Sequence, residues 1–129
     1  VTKKVLIVDD EPNIVAALDY LLQRSGYEVR IASNGEEALR EVESFAPDLV
    51  LLDVMMPQKS GYEVCQRIRE RADWSEIKIV MLSARGREAE VNKGLSLGAD
   101  LYITKPFSNA DLVARIGELL GEPGPPAKA

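Results

Sequence analysis

Four short stretches of the chain are almost wholly apolar, and each stops abruptly at polar residues. Val5-Leu6-Ile7-Val8 ends at Asp9-Asp10, and Leu49-Val50-Leu51-Leu52 ends at Asp53. Ile77 to Leu82, broken only by Lys78, ends at Ser83, and Leu101-Tyr102-Ile103 leads to Thr104-Lys105-Pro106. Runs of this length without alternation predict strands buried on both faces. Tyr27-Glu28-Val29-Arg30-Ile31 alternates apolar with polar instead, which suits a strand at the edge of a sheet.

Between these runs the apolar period changes to about 3.6 residues, the signature of helices with one buried face. Ile14, Val15, Leu18, Leu21 and Leu22 form one stripe, opened by Pro12 and closed by Gly26. Ala38, Leu39, Val42 and Phe45 form the next, with Ser33 and Glu36 spaced as a capping box. Ser60 and Glu63 repeat that spacing ahead of Val64, Cys65 and Ile68. A fourth helix is expected from about Gly86 to Leu97, with a sparse apolar face of Ala89, Val91, Leu95 and Leu97, stopping at Gly98. Ser108 and Asp111 open a last helix with Leu112, Val113, Ile116, Leu119 and Leu120. Strand and helix thus alternate five times. The expected class is α/β: a single doubly wound, parallel, five-stranded sheet with five helices. Residues 1–120 are expected to form one domain, and the Pro- and Gly-rich residues 121–129 a linker or tail.

Composition narrows the chemistry. Apolar residues make up 46% of the 129 residues and charged ones 29%, a globular profile. No apolar run approaches the roughly 18 residues of a membrane span, and Val5 to Val8 is too short for the core of a signal peptide. The net charge of −5 offers no bulk basic field to hold nucleic acid. A single cysteine, Cys65, excludes an internal disulfide and fits a reducing compartment. With no histidine in the sequence, Ser-His-Asp hydrolysis, Cys-His proteolysis and His-ligated zinc drop out together.

In a doubly wound sheet, ligands bind beyond the carboxyl ends of the strands, where the winding reverses. Asp9, Asp10, Asp53, Ser83 and Lys105 are the residues expected there. Taken singly each has an ordinary explanation: a strand-end Asp caps or turns, Ser83 and Lys105-Pro106 sit in loops, and Cys65 and the Met55-Met56 pair fill the core. Together they mean more. Three carboxylates brought to one edge repel unless a cation joins them, and Mg²⁺, which keeps waters and works with phosphates, is the natural choice. A lysine and a hydroxyl beside one of those carboxylates complete a receiver for a phosphoryl group.

On these residues the sequence resembles the response-regulator receiver domains of two-component signalling, over about residues 3–120. The motifs are Val8-Asp9-Asp10-Glu11, Asp53-Val54-Met55-Met56-Pro57, Ser83-Ala84 and Lys105-Pro106-Phe107, with Gly61 and the Gly98-Ala99-Asp100 turn in their expected places. The resemblance implies a flavodoxin-like sheet of order 2-1-3-4-5 and a phosphorylation switch with weak self-phosphorylation and self-dephosphorylation chemistry rather than a conventional enzyme. Asp53 would be the phosphoacceptor, supplied by a sensor histidine kinase or phosphotransfer domain. Asp10 and Asp53 would ligate Mg²⁺ directly, Asp9 through water and Met55 by its backbone carbonyl. Lys105 would pair with the phosphoryl oxygens, and Ala84 would leave the site open. Met55 and Arg85 would flank the phosphate and tune its loss. Ser83 and Tyr102 would act as the switch pair, altering the surface of the fourth helix, fifth strand and fifth helix. The Lys105-Pro106 peptide would be cis. An effector would be reached through that surface, with no direct nucleic-acid binding and no membrane contact by this domain. Localisation would be cytoplasmic, and the state a monomer or a phosphorylation-dependent dimer. Asp111 and Arg115 suit a charged dimer face, whereas Val91 and Leu101 stand where DNA-binding members tend to carry an Arg and an Asp. Two other readings use the same residues: a pseudo-receiver scaffold that is never phosphorylated, and a phosphatase with an Asp nucleophile. The second wants another Asp two positions after the first, where this chain has Met55. A flavodoxin is disfavoured because Asp9-Asp10-Glu11 would repel a flavin phosphate.

Overall fold

In the computed structural model, which describes residues 2–56, 60–84 and 87–121, the four apolar segments and the alternating one form one parallel sheet. Its strands are β1 (Lys4–Val8), β2 (Glu28–Ala32), β3 (Leu49–Asp53), β4 (Lys78–Ser83) and β5 (Leu101–Thr104). Their order is β2-β1-β3-β4-β5, as the resemblance implied. Parallel pairing sets Val8 beside Leu52, Asp53 beside Leu82 and Ser83 beside Thr104, so all the carboxyl ends share one edge. The chain leaves β1 for β2 on one side and returns to β3 on the other, which puts the reversal between β1 and β3.

The helices are α1 (Pro12–Arg24), α2 (Gly35–Phe45), α3 (Gly61–Arg69), α4 (Glu88–Ser96) and α5 (Asn109–Leu120). Side chains alternate across the sheet with period two, dividing the core in two. Leu6, Val8, Val50, Leu52, Ile79 and Met81 face Val42 and Phe45 of α2 and Val64 and Ile68 of α3. Val5, Ile7, Leu49, Leu51, Val80 and Leu82 face Leu18 and Leu22 of α1 and Leu112 and Ile116 of α5. Strands buried on both faces leave nowhere to place a polar side chain except the strand ends, and that is what concentrates the chemistry there.

Several local expectations need correction. α2 is capped by Asn34, whose side chain accepts from the Glu37 N–H, while the Glu37 carboxylate turns back to the Ser33 N–H and hydroxyl. The box is therefore shifted one residue from the expected Ser33-Glu36 pair, because Asn caps as well as Ser. Ser60 and Ser108 do cap α3 and α5, each accepting from the N–H three residues on. α4 begins at Glu88, two residues after its expected start at Gly86. Its one buried residue is Gly94, and a Cβ there would lie 2.7 Å from Met81 Sδ and 3.0 Å from the Tyr102 ring. The sparse apolar face of this helix is real: it rests on backbone contact rather than on a side-chain stripe. β2 is the edge strand expected, but Ile31 stays 41% exposed, since an edge strand has a helix over only part of its length. Met55 is not core filler; it stands 51% exposed, whereas Cys65 is fully buried. A 3₁₀ turn at Ala72–Trp74 had no sequence signal. The Lys105-Pro106 peptide is cis. Pro57, Arg85, Gly86 and the tail 122–129 lie outside the described residues.

Candidate functional site

The site forms where β1 and β3, adjacent in the sheet, both run out. Asp9 follows β1 and is anchored by its N–H on the Ala32 carbonyl at 3.1 Å. Its Oδ1 accepts from the Glu11 N–H at 3.0 Å, an Asx-type turn that bends the chain into α1. Asp53 is the last residue of β3, and the next N–H, on Val54, is tied to the Leu82 carbonyl at 3.1 Å. Gly61 is required here for space. Its N–H donates to the Val54 carbonyl at 3.0 Å, and a Cβ would run into the Asp53 carbonyl oxygen and come within 2.8 Å of Val54 Cα. Glycine thus lets the start of α3 press directly on the backbone that carries Asp53.

Asp9 and Asp53 are buried, at 2% and 4% exposure, while Asp10 is open to solvent. One carboxylate oxygen from each of Asp9, Asp10 and Asp53 lies within 4.8 Å of the others. These oxygens are close enough for one hard divalent cation to join them, directly or through a bound water. Asp9 Oδ2 is buried and accepts no hydrogen bond; the Lys105 ammonium lies 3.5 Å from it, and a cation in the cradle would add to the charge that balances it. The donor set, carboxylates with open positions for water, is that of a hard divalent ion.

Lys105 arrives from the far side, after β5. Its N–H donates to the Ser83 carbonyl at 2.8 Å, which joins the ends of β4 and β5. Its ammonium lies 3.5 Å from Asp9, 3.6 Å from Glu11 and 3.6 Å from Asp53. Burial pulls this ammonium's pKa down, but the carboxylates of Asp53, Asp9 and Glu11 together outweigh it, leaving the amine above its ordinary value. Asp53 is pushed from 3.8 up to about 6, first by burial and then by the Asp9 charge, with Lys105 and the Met55 N–H opposing. That N–H is 3.4 Å from Asp53 Oδ1.

The structure thus gathers Asp9, Asp10, Asp53 and Lys105 around one point. Ser83 is fully buried at the end of β4 and Ala84 beyond it is exposed. Tyr102 is half-buried on β5, its ring against Gly94 of α4. Glu11, which the sequence offered only as part of a motif, belongs to the lysine's surroundings. Its one signal was its place beside Asp9 and Asp10. The groove between α2 and α3, lined by Leu39, Arg67, Arg71 and Trp74, shares no residue with this site. Convergent charge, rather than concavity, marks the site.

The model of the response regulator receiver domain matches residues 5–117. The chain belongs to this family. Among its relatives, the alkaline phosphatase synthesis transcriptional regulatory protein PhoP of Bacillus subtilis is 49% identical over 118 residues, covering 92% of this chain and 48% of that protein. The receiver therefore spans about half the length of the curated relatives it matches. A solved structure of a putative response regulator from Chloroflexus aurantiacus is 36% identical, with a TM-score of 0.89, over 95% of this chain and all of that one. The receiver domain of sensor histidine kinase PA1611 from Pseudomonas aeruginosa, solved with a magnesium ion in its active-site cleft, is 26% identical, with a TM-score of 0.86, over 95% of this chain and 100% of that one. Receiver domains are signalling modules rather than conventional enzymes. Among the described residues no helix is long and apolar enough to cross a membrane.

Proposed function

We propose that Asp53 accepts a phosphoryl group from the phosphohistidine of a sensor histidine kinase or phosphotransfer domain, and that the change reaches an effector through the surface of α4, β5 and α5. The observation that carries this reading is the convergence of Asp9, Asp10 and Asp53 with the Lys105 ammonium at the sheet's carboxyl edge. An Asp53 oxygen attacks phosphorus in line, the donor's P–N bond breaks and the imidazole departs, leaving an aspartyl phosphate. The 129 residues contain no histidine, so the donor lies outside them. Asp10 and Asp53 would hold Mg²⁺ directly, Asp9 through water and Met55 by its carbonyl. The ion supplies neutralising charge for the phosphoryl oxygens; the magnesium in the PA1611 cleft supports that role. Lys105 pairs with those oxygens, and the exposed, small Ala84 leaves them room.

Phosphorylation adds about 1.5 to 2 negative charges and three acceptor oxygens. Ser83 bonds the phosphoryl once it arrives, and Tyr102 follows into the space vacated. α4 is suited to respond, because Gly94 is its only buried residue and weakly buried elements move at low cost. The result is a shift between states that already exist, limited by how differently the phosphoryl interacts with each. The domain turns over only as the acyl phosphate is lost to water. A cytoplasmic location and a monomer or phosphorylation-dependent dimer fit this role. The name of the Bacillus relative favours an effector that acts on transcription. Incubation with Mg²⁺ and acetyl phosphate, followed by intact-mass analysis, tests the reading. One added phosphoryl group that disappears in Asp53→Asn is expected, and no adduct on the wild-type chain would leave the scaffold reading instead.

A further inference from the structure

Glu11 stands at the N-cap of α1 in extended conformation, a position where short side chains such as Asp, Asn or Ser accept from the first helical N–H groups and the longer Glu is not among the favoured residues. It makes no cap hydrogen bond. Its Oε1 lies 3.6 Å from the Lys105 ammonium instead, with the side chain 61% exposed. The lysine's two other carboxylates, on Asp9 and Asp53, are 1% and 5% exposed. All three contacts, at 3.5 to 3.6 Å, are longer than the roughly 2.7–2.9 Å of a strong charge-assisted hydrogen bond. The ammonium is shared among them and committed to none. Of the three, Glu11 alone can swing into water without leaving a buried charge behind.

We propose that Glu11 is a positioning residue for Lys105, an exposed carboxylate that holds the ammonium at the rim of the site and surrenders it when a phosphoryl group enters. This rests on the reading of Lys105 as the phosphoryl's partner, and it adds that Glu11 competes with the incoming phosphoanion for the same amine. Losing this contact therefore speeds modification rather than slowing it.

The experiment measures the second-order rate constant for adduct formation with acetyl phosphate and Mg²⁺ in the wild type, Glu11→Gln and Glu11→Asp. Gln removes the charge. Asp keeps the charge but is one methylene shorter and does not reach the amine. Both variants are expected to react about two- to fivefold faster, the range open to an exposed ion pair. Their Mg²⁺ affinity and unfolding midpoint should match the wild type, and the Lys105 ammonium signal should shift in nitrogen-resolved NMR. Acceleration in Gln but not in Asp would overturn the contact, leaving only general repulsion of the donor. Unchanged or slower reaction in Glu11→Gln would overturn it outright, as would a tenfold loss of Mg²⁺ affinity, which would make Glu11 a metal ligand. No adduct on the wild-type protein would instead defeat the functional reading beneath it.

Discussion

Metal-free receiver protein should be stabilised by Asp53→Asn, and the gain should depend on pH in one direction only. Asp53 has its pKa raised from 3.8 to about 6, chiefly by burial and then by Asp9. Between those two values the folded chain holds a proton on Asp53 that the unfolded chain has released. Stability from this group is therefore fully present below about pH 4 and falls as pH rises through about 6, then stays level. At about 1.4 kcal/mol per pKa unit, the ceiling is about 3 kcal/mol, and water at the open rim of the site lowers it to on the order of 1–2 kcal/mol. Asn fills the same space and cannot ionise. Urea unfolding in EDTA, followed by Trp74 fluorescence at pH 4.5 and 7.5, should show the variant's full advantage at the higher pH and about a third of it at the lower. Glu37 and Asp73, held below the usual carboxylate range by Ser33 and by Arg71, act in the opposite sense but cancel in the difference between the two proteins. Saturating Mg²⁺ should then favour the wild type, since it binds the ionised carboxylate and stabilises by mass action. A variant whose advantage is equal at both pH values, or larger at pH 4.5, would mean that burial does not hold a proton on Asp53.

Further outcomes follow from other contacts. Gly61→Ala places a methyl against the Asp53 carbonyl and Val54 Cα; overpacking of about 1–3 kcal/mol should lower the urea midpoint, and an unchanged midpoint would mean that α3 does not press on this backbone. Leu22→Ala empties a fully buried position between α1 and the sheet and should cost about 2–5 kcal/mol in the same assay. Met55 is apolar, 51% exposed and two residues after Asp53, so on the proposed reading it does not help to position a water that attacks the phosphoform. A polar replacement should shorten the phosphoform's half-life, and a half-life that lengthens or barely moves would count against that role.

The sheet was legible because its strands are buried on both faces. Val5 to Val8 and Leu49 to Leu52 carry no polar residue at all, so the break at each Asp marked a strand end within a residue. The site followed from the same rule, since the parallel register puts every such break on one edge. Roles for Ser83, Tyr102 and Met55 came from family resemblance, because a hydroxyl, a ring or a carbonyl at a strand end has no unique chemistry in sequence. What could not be read was set by tertiary contact. Nothing in the sequence marked Gly94 as the place where Met81 and the Tyr102 ring meet the backbone of α4. The cap of α2 moved to Asn34 because several adjacent residues there can all accept from a free N–H. Glu11 had no signal of its own, as only the fold brings β1 and the end of β5 close enough for it to meet Lys105.

The proposed switch depends on Asp53 carrying the phosphoryl group. An aspartyl phosphate is an acyl phosphate, and borohydride reduces it to homoserine while leaving an ordinary carboxylate untouched. Wild-type protein treated with acetyl phosphate and Mg²⁺, reduced, digested and sequenced by tandem mass spectrometry should carry homoserine at position 53, and only when the metal is present. Homoserine at another carboxylate, or none at all, would mean that Asp53 is not the phosphoacceptor.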